Sequence, residues 1–411
     1  MKVLLINKFY HLNGGAERHL FDWENLLRAH GHDVFLFSMK DPRNRPCAQE
    51  PYFIDPVRFD GPMAPAQMLR AAAHSIWSRQ AARRIEALLS AEGTPDIAHV
   101  HSFVYQLTPS ILGPLARRGV PIVQTCHEYA HICVNQHLYN QRTEQPCREC
   151  LRRGRLAPLL TRCMKGSLAA SAAGVAAGLA DSLLARSRAR IRRFLAVSEF
   201  MRRELLRGGL PPRRVFCTPN FIDADSAPQG EGPGRYVLFL GRLTPYKGIR
   251  TFLRAARLAA EVPCKVAGAG PLEAEARRDA PANVEVLGHR EGQALSDLVR
   301  HARVLVAPSE WYEPFGLVIL EAMAAGRAVI ASRMAGPAEI ISDGRDGLLT
   351  PPADPEALSA AMRRLWAAPD LAAELGRNGR DKVRLEYGAE AHYARMMTHF
   401  EQVLRSKEDA P

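Results

Sequence analysis

Two glutamates eight residues apart, Glu313 and Glu321, enclose the stretch EPFGLVILE. Pro314 disfavours helix at the residue before it, so Glu313 belongs to an incoming loop. Leu317 to Ala325 is a run of good helix formers closed by Gly326, with Gly316 as a flexible entry. One carboxylate therefore faces the start of a helix, and the other sits about a turn and a half inside it. Free backbone N–H groups around Gly316–Val318, framed by Phe315, Gly316 and Leu317, carry partial positive charge and make an anion site. Carboxylates repel phosphate but accept hydrogen bonds from sugar hydroxyls. A diphosphate between two sugars describes a nucleotide-sugar, with ribose on one carboxylate and the donor sugar on the other. Taken alone, the same spacing also describes two solvated acids on an amphipathic helix.

Other residues extend this chemistry. Arg242 and Lys247 lie five apart on the loop GRLTPYKG, where a fixed guanidinium and a mobile ammonium can bracket a diphosphate and neutralise the leaving phosphate. His127 follows the apolar run Pro121–Cys126, at the strand end where open α/β sheets bind ligands. A neutral imidazole there can bond a sugar hydroxyl or the reacting phosphate; a satisfied core histidine is the plainer reading. Gly14 and Gly15 close the first loop, where a backbone without Cβ can approach a ligand. Cys133, Cys147, Cys150 and Cys163 are separated by thirteen, two and twelve residues. Four thiolates at such spacing fit a closed, structural zinc site on a basic lobe, with His131 or His137 as substitutes for one ligand. Free buried thiols and a disulfide are the other readings.

Together these motifs resemble the retaining family 4 glycosyltransferases, which have the GT-B fold. EPFG with its helix and following strand resembles their E-x7-E motif. GGAERH resembles their first glycine loop, His127-Glu128 their HD or HE loop, and Pro219-Asn220-Phe221-Ile222-Asp223 the turn between their domains. Glu128 departs from the commoner aspartate, which leaves its role open. The cysteine cluster resembles a subset of the family with a cysteine-rich insert at about residues 131–165. The resemblance implies two Rossmann-like doubly wound domains facing across a cleft. It makes Glu313, His127, Arg242 and Lys247 the catalytic residues. Gly14, Gly15, Arg242, Lys247, Phe315, Gly316, Leu317 and Glu321 would bind the nucleotide-sugar. The chemistry would need no divalent metal and no cofactor, and zinc would be structural. The last helix would cross back to the first domain.

The elements that must hold these residues follow a repeated strand–helix pattern. Lys2–Ile6, Asp33–Ser38, Asp96–His101, Pro121–Cys126, Phe194–Ser198 and Arg214–Thr218 read as strands of a first α/β domain. Arg235–Leu240, Lys265–Gly268, Val284–Gly288, Val304–Pro308 and Ala328–Ala331 restart the pattern. Met68–Glu92 reads as one helix and Pro42–Pro65 as a loop. The Gly- and Pro-bearing segment Gln229–Gly234 reads as the linker. The domains are thus 1–228 (acceptor side), 229–388 (nucleotide-sugar side) and a crossing helix, 389–411.

Composition narrows the setting. The 411 residues carry a net charge of +12, with 31 Lys+Arg against 20 Asp+Glu in residues 1–232 and 24 against 23 in the rest. A basic N-terminal half suits an anionic lipid surface or a lipid-diphosphate acceptor, unless it is only a solvated Arg-rich face. MKVLLIN lacks the features of a secretory leader, and the run Gly166–Ala180 is too short to span a bilayer. A cytoplasmic protein, working at the inner face of a membrane with reduced or metal-bound cysteines, is the expectation. The glycan or lipid-linked acceptor would belong to a bacterial surface polysaccharide. A nucleotide-sugar 2-epimerase would share the fold. A zinc-dependent nucleic-acid-binding protein would account for the basic, cysteine-rich half but not for the E-x7-E half, so no nucleic-acid partner is expected.

Overall fold

Strands buried on both faces read as apolar runs, and twelve strands, most of them of that kind, build two six-stranded parallel sheets in the computed structural model. The structure describes residues 1–57, 59, 64–225 and 227–408. The first sheet holds β1 (Lys2–Ile6), β2 (Asp33–Phe37), β3 (Ile97–Val100), β4 (Ile122–Cys126), β5 (Ile191–Ala196) and β6 (Val215–Cys217), in the order β2-β1-β3-β4-β5-β6. The second holds β7 (Tyr236–Leu240), β8 (Cys264–Ala267), β9 (Val284–Gly288), β10 (Ala302–Ala307), β11 (Ala328–Ser332) and β12 (Leu348–Thr350), in the order β9-β8-β7-β10-β11-β12. Strand order reverses between β1 and β3 in one sheet and between β7 and β10 in the other. In open parallel sheets such switch points open a ligand crevice at the C-terminal strand ends.

Each sheet anchors a compact unit. The first comprises Met1–Thr143, Cys147–Thr218 and the C-terminal segment from Tyr393; the second comprises Glu144–Pro146 and Pro219–His392. In the first unit the helix Gly15–Ala29 turns Leu20, Trp23 and Leu27 inward. The Trp23 ring meets the rings of His99 and Phe400, each 6.1 Å away and edge-on. Phe400 belongs to the helix Ala389–Glu408, so the last helix is part of the first unit's core; residues 409–411 lie outside the described residues. In the second unit Val237, Phe239, Val304, Val306 and Ile330 from the sheet pack with Phe252 and Leu365 from helices.

The units part at Thr218/Pro219 and His392/Tyr393, not in the Gln229–Gly234 segment or after residue 388. Contacts explain this. Ile222 N–H donates to Tyr387 O (3.0 Å), and Phe221 stacks on His392 at 4.4 Å, so the Pro219–Asp223 turn already belongs to the second unit. Arg327 donates to the carbonyls of Glu231 (2.8 Å) and Gly232 (2.9 Å), which holds the expected linker against the same unit.

Three other expectations shift. Met68–Glu92 is two helices, Pro65–Ile76 and Arg79–Glu92, because Ser78 Oγ accepts from Ala81 N (3.1 Å) and caps a new start. The strand expected over Phe194–Ser198 begins earlier, at Ile191, so that Arg192 and Arg193 belong to β5. The alanine-rich helix Leu168–Ala180 continues as a wider π turn through Asp181–Ala185. The resulting stretch is long and apolar enough, by length and composition, to cross a membrane. Part of the Pro42–Pro65 loop (residues 58 and 60–63) lies outside the described residues.

Candidate active site

In the second unit the loops after β7 and β10 flank the switch point. Lys247 donates to Glu313 Oε1, and Ser309 Oγ donates to Glu313 Oε2. The carboxylate is buried, 7 % exposed, and both its oxygens are engaged. Its backbone is fixed as well: Glu313 N–H donates to Trp311 O (2.7 Å) and Glu313 O accepts from Gly336 N (3.0 Å). The Trp311 ring lies 5.8 Å from Lys247 Nζ and 5.0 Å from the Tyr246 ring. Gly248 makes the loop crossing feasible. Its φ is +75°, and a Cβ there would fall 1.9 Å from Pro308 O, so only glycine lets the Lys247 loop pass the end of β10.

The helix Leu317–Ala324 starts at Gly316, whose φ of +111° again favours glycine. No side chain caps this start, and the first loop-to-helix bond recorded there is Ile319 N to Gly316 O (2.9 Å). Glu313 and Lys247 therefore stand together beside a helix start that presents its amides. Phe315 is buried against Tyr387 (5.9 Å), which leaves its backbone, not its ring, to face a ligand. Arg242 is exposed at the head of the same loop as Lys247, and Glu321 and Leu317 are half-buried on the helix.

In the first unit the strand ends carry imidazoles. His101 follows β3 and His127 follows β4; their rings are nearly parallel, with His101 Nδ1 and His127 Nε2 3.0 Å apart, an N–H···N bond. His19, from the helix Gly15–Ala29, lies 5.1 Å from the His127 ring and 5.7 Å from the His101 ring. The nitrogens of His19, His101 and His127 all lie within 4.8 Å of one another. Burial and the Lys8 ammonium push His127 down to about 3, so it is neutral at physiological pH. Lys8 pairs with Glu128 (3.3 Å), which gives that glutamate a partner. Burial pushes the Glu17 carboxyl up, and Asn7 Nδ2 donates to it (3.1 Å). Gly14 is extended (φ 173°), and a Cβ there would meet only Glu17 Oε2, at 3.8 Å. The protein itself thus leaves room at Gly14, and Gly15 is the first helical residue, not the end of the loop.

The cysteines also gather. All eight are free thiols. Buried Cys133 donates to Asn135 Oδ1 (2.9 Å), and the Cys150 thiol is brought down to about 7 by the neighbouring Cys133 with further help from Arg155. Burial pushes Cys163 up to about 11, and Cys150 and Cys147 are the charges beside it. Four thiols are the donor chemistry that a tetrahedral zinc takes. The gathering is loose: among the described residues, His19, His101 and His127 form the one group of three whose ligand atoms all lie within 4.8 Å. His131 is turned away, bonded through Nε2 to Gln124 Oε1 (2.7 Å), and His137 Nδ1 meets Asn135 O (2.6 Å).

Sequence reasoning missed Ser309, Trp311, His19 and His101. His101 stands at a strand end just as His127 does, and that position is the signal that could have found it. Ser309 carries no comparable signal.

Residues 13–226 match the family model described as Glycosyltransferase Family 4, and residues 234–368 match the one described as Glycosyl transferases group 1. D-rhamnosyltransferase WbpZ of Pseudomonas aeruginosa is 36% identical over 159 residues, 37% of this chain and 41% of that protein. O-antigen chain mannosyltransferase C of Escherichia coli is 31% identical over 178 residues, 42% of this chain and 48% of that protein. The chain thus spans about half the length of these curated relatives. The crystal structure of Anabaena Alr3699/HepE in complex with UDP and glucose is 16% identical, covers 98% of this chain and 99% of its own, and has a TM-score of 0.67. Two doubly wound sheets and that likeness make the fold GT-B.

Proposed function

The chain belongs to glycosyltransferase family 4, and on that premise we propose that it moves a hexose-type sugar, with retention, from a nucleotide-diphosphate sugar to a glycan or lipid-linked acceptor of a bacterial surface polysaccharide. The observation that carries the reading is the Lys247–Glu313–Ser309 cluster beside the uncapped helix start at Gly316. It supplies a cation, free amides and a fixed carboxylate at one switch point. HepE, seen with UDP and glucose, and the sugar-transferring relatives lend support to a nucleotide-sugar donor.

In this reading the bond between the sugar's anomeric carbon and the phosphate oxygen breaks, and its electron pair leaves with the diphosphate. Lys247, Arg242 and the helix amides stabilise that charge. The acceptor hydroxyl bonds to the same carbon on the same face and gives its proton to the departing phosphate. Glu313 positions the donor sugar and Glu321 the ribose, while neutral His127 bonds a sugar hydroxyl or the phosphate. A diphosphate draws Lys247 off Glu313, and the freed carboxylate oxygen then accepts from the sugar. Gly14 leaves room for a ligand beside the first loop's backbone. The two cations stand where other transferases use a divalent metal, so the chemistry calls for no cofactor. A zinc held by Cys133, Cys147, Cys150 and Cys163 would brace the cysteine-rich lobe, and it takes no part in a step.

Nucleotide release from UDP-, GDP- and ADP-sugars, with chelator present and with or without a lipid acceptor fraction, tests the proposal. Acceptor-stimulated release of one nucleotide is expected. Conversion of the donor without acceptor would point to the epimerase instead, and no release together with no donor-induced thermal shift would end the donor-site reading.

A further inference from the structure

In the first unit three helices, Pro65–Ile76, Ala157–Thr161 and Leu168–Ala180 with its π turn, pack side by side. Their inner face is committed to the protein. Ser171, Gly174, Val175 and Ala177 are buried, and a Cβ on Gly174 would fall 2.5 Å from Met164 Sδ and 2.6 Å from Val134 Cγ1. Arg155 ties the helix end down by donating to Gly178 O (3.0 Å) and Ser182 Oγ (2.7 Å). A helix seated this closely is not poised to leave and span a bilayer.

Their outer face is another matter. Only 28% of the apolar stretch Leu168–Ala185 is buried, whereas a core helix hides most of its surface. Leu160 is 73 % exposed, Leu183 75 % and Leu69 73 %, and Met68, Leu156, Leu168, Leu179 and Leu184 are also exposed. Among the described residues, eight of the eleven exposed large hydrophobic residues thus fall on this one layer. Contiguous apolar surface on this scale marks an interaction site.

Charge identifies the occupant. Exposed Arg70, Arg152, Arg153, Arg162, Lys165 and Arg186 lie on these helices or in the segments that flank them. Asp181 accepts from Ser187 Oγ (2.7 Å), and Glu149, paired with Arg152 and Arg153, offsets one of these positive charges, so the rim stays strongly basic. Among the described residues the apolar centre is leucine, methionine and alanine without an exposed aromatic residue, whereas protein interfaces concentrate aromatics. Aliphatic side chains that enter the acyl boundary and a basic rim that meets headgroups are the two signals for stable interfacial binding.

We infer that this helical layer docks the protein, lying flat, on an anionic lipid bilayer. The inference deepens the proposed function and rests on it for its purpose, because an acceptor on a lipid anchor is met at a bilayer surface. Its test does not depend on catalysis. The full chain is floated with vesicles of phosphatidylcholine alone, or of equal parts phosphatidylcholine and phosphatidylglycerol. The parent should float with the anionic vesicles and lose binding as salt rises. The exposed triple substitution Leu160→Ser, Leu183→Ser and Leu184→Ser should cut partitioning on the order of tenfold or more. Arg152→Glu with Arg153→Glu should weaken binding and flatten its salt dependence. Unchanged circular dichroism would establish that the variants are folded. A parent that stays unbound, or a leucine variant that floats like the parent, overturns the inference; so does a dimer that the leucine substitutions dissolve, which would assign the face to a second copy. Nucleotide release without vesicles reads the other proposal separately. A protein that floats but releases nothing sinks only the functional reading, and one that releases but does not float sinks only the docking face.

Discussion

The two sheets share a topology but crown their switch points differently. Above β7 and β10 the groups are ionic: a lysine and a glutamate bound to each other, with a serine on the remaining oxygen. Above β3 and β4 they are imidazoles bonded to one another, with His127 held neutral by burial and Lys8. A paired cation can be redirected to an incoming phosphate at small desolvation cost, since it is already half shielded. Neutral rings offer directional hydrogen bonds without competing for that charge. One fold thus supplies a place for charge and a place for hydroxyls, and the loops, not the sheets, set which is which.

If that contrast is right, removing charge costs most. Lys247→Ala and Arg242→Ala should each lower turnover on the order of 10²–10³, as for a lost oxyanion contact. Steady-state rates within tenfold of the parent for both would sink the division of labour. His127→Ala should cost less, roughly tenfold to a hundredfold, the worth of one buried hydrogen bond. Because the ring is already neutral, the parent's rate should show no inflection from this group between pH 5 and 8, and a step near 6.5 that vanishes in the variant would count against it. Glu321→Ala should raise the donor KM about tenfold with turnover close to the parent's, the mark of an interaction shared by ground and transition states. Unchanged nucleotide affinity in a binding titration would remove Glu321 from the ribose.

The smallest effect is on stability. His131 is pushed down to about 3 by burial and by Arg188 and Arg155, and His399 to about 4 by burial and Arg193. Unfolded, each takes a proton near 6.5, so the unfolded state binds more protons as pH falls below that value. The first unit should therefore lose stability from about pH 6.5 downward, by on the order of 1–2 kcal/mol at pH 5 for His131. In the second unit Glu275 is lowered by its bond from Arg250, and such a group loses its contribution only below its ordinary value of 4.5. Urea titrations at pH 7 and 5 should show a lower midpoint at pH 5, with the fall flattened in His131→Gln. Equal midpoints for the parent would refute the assignment.

Apolar runs made the strands legible, and Lys2–Ile6 and Val284–Gly288 fall on the residues expected of them. Helix existence was legible too, but helix breaks were not. Trp77-Ser78 interrupts a run of good helix formers without Gly or Pro, and only the capping bond of Ser78 reveals why. At β5 the arginines hid the strand: Ile191 and Phe194 are buried and Arg192 is exposed, and the register slips by one residue between Ile191 and Arg193, so the run shows no clean alternation. The ionic cluster was half legible. Its members are named by the GRLTPYKG and EPFG motifs, yet Lys247 and Glu313 are 66 residues apart and their pairing depends on β7 lying beside β10. The imidazole cluster was least legible, since three separate elements bring its rings together and histidine has no spacing rule for that.

The helix Ala389–Glu408 carries Tyr393, stacked on His30 at 3.7 Å, and Phe400, set against Trp23. Both partners lie in the first thirty residues of the chain. During synthesis at ~5–20 residues per second, roughly ten to forty seconds separate the emergence of β6 from that of this helix. Residues Pro219–His392 of the second unit are made in that interval, while the seam around Trp23 stays uncovered. Translation order therefore makes the N-terminal unit the first to be synthesised and the last to close, and a nascent chain stalled before Tyr393 would present that seam to whatever binds exposed apolar surface at the ribosome.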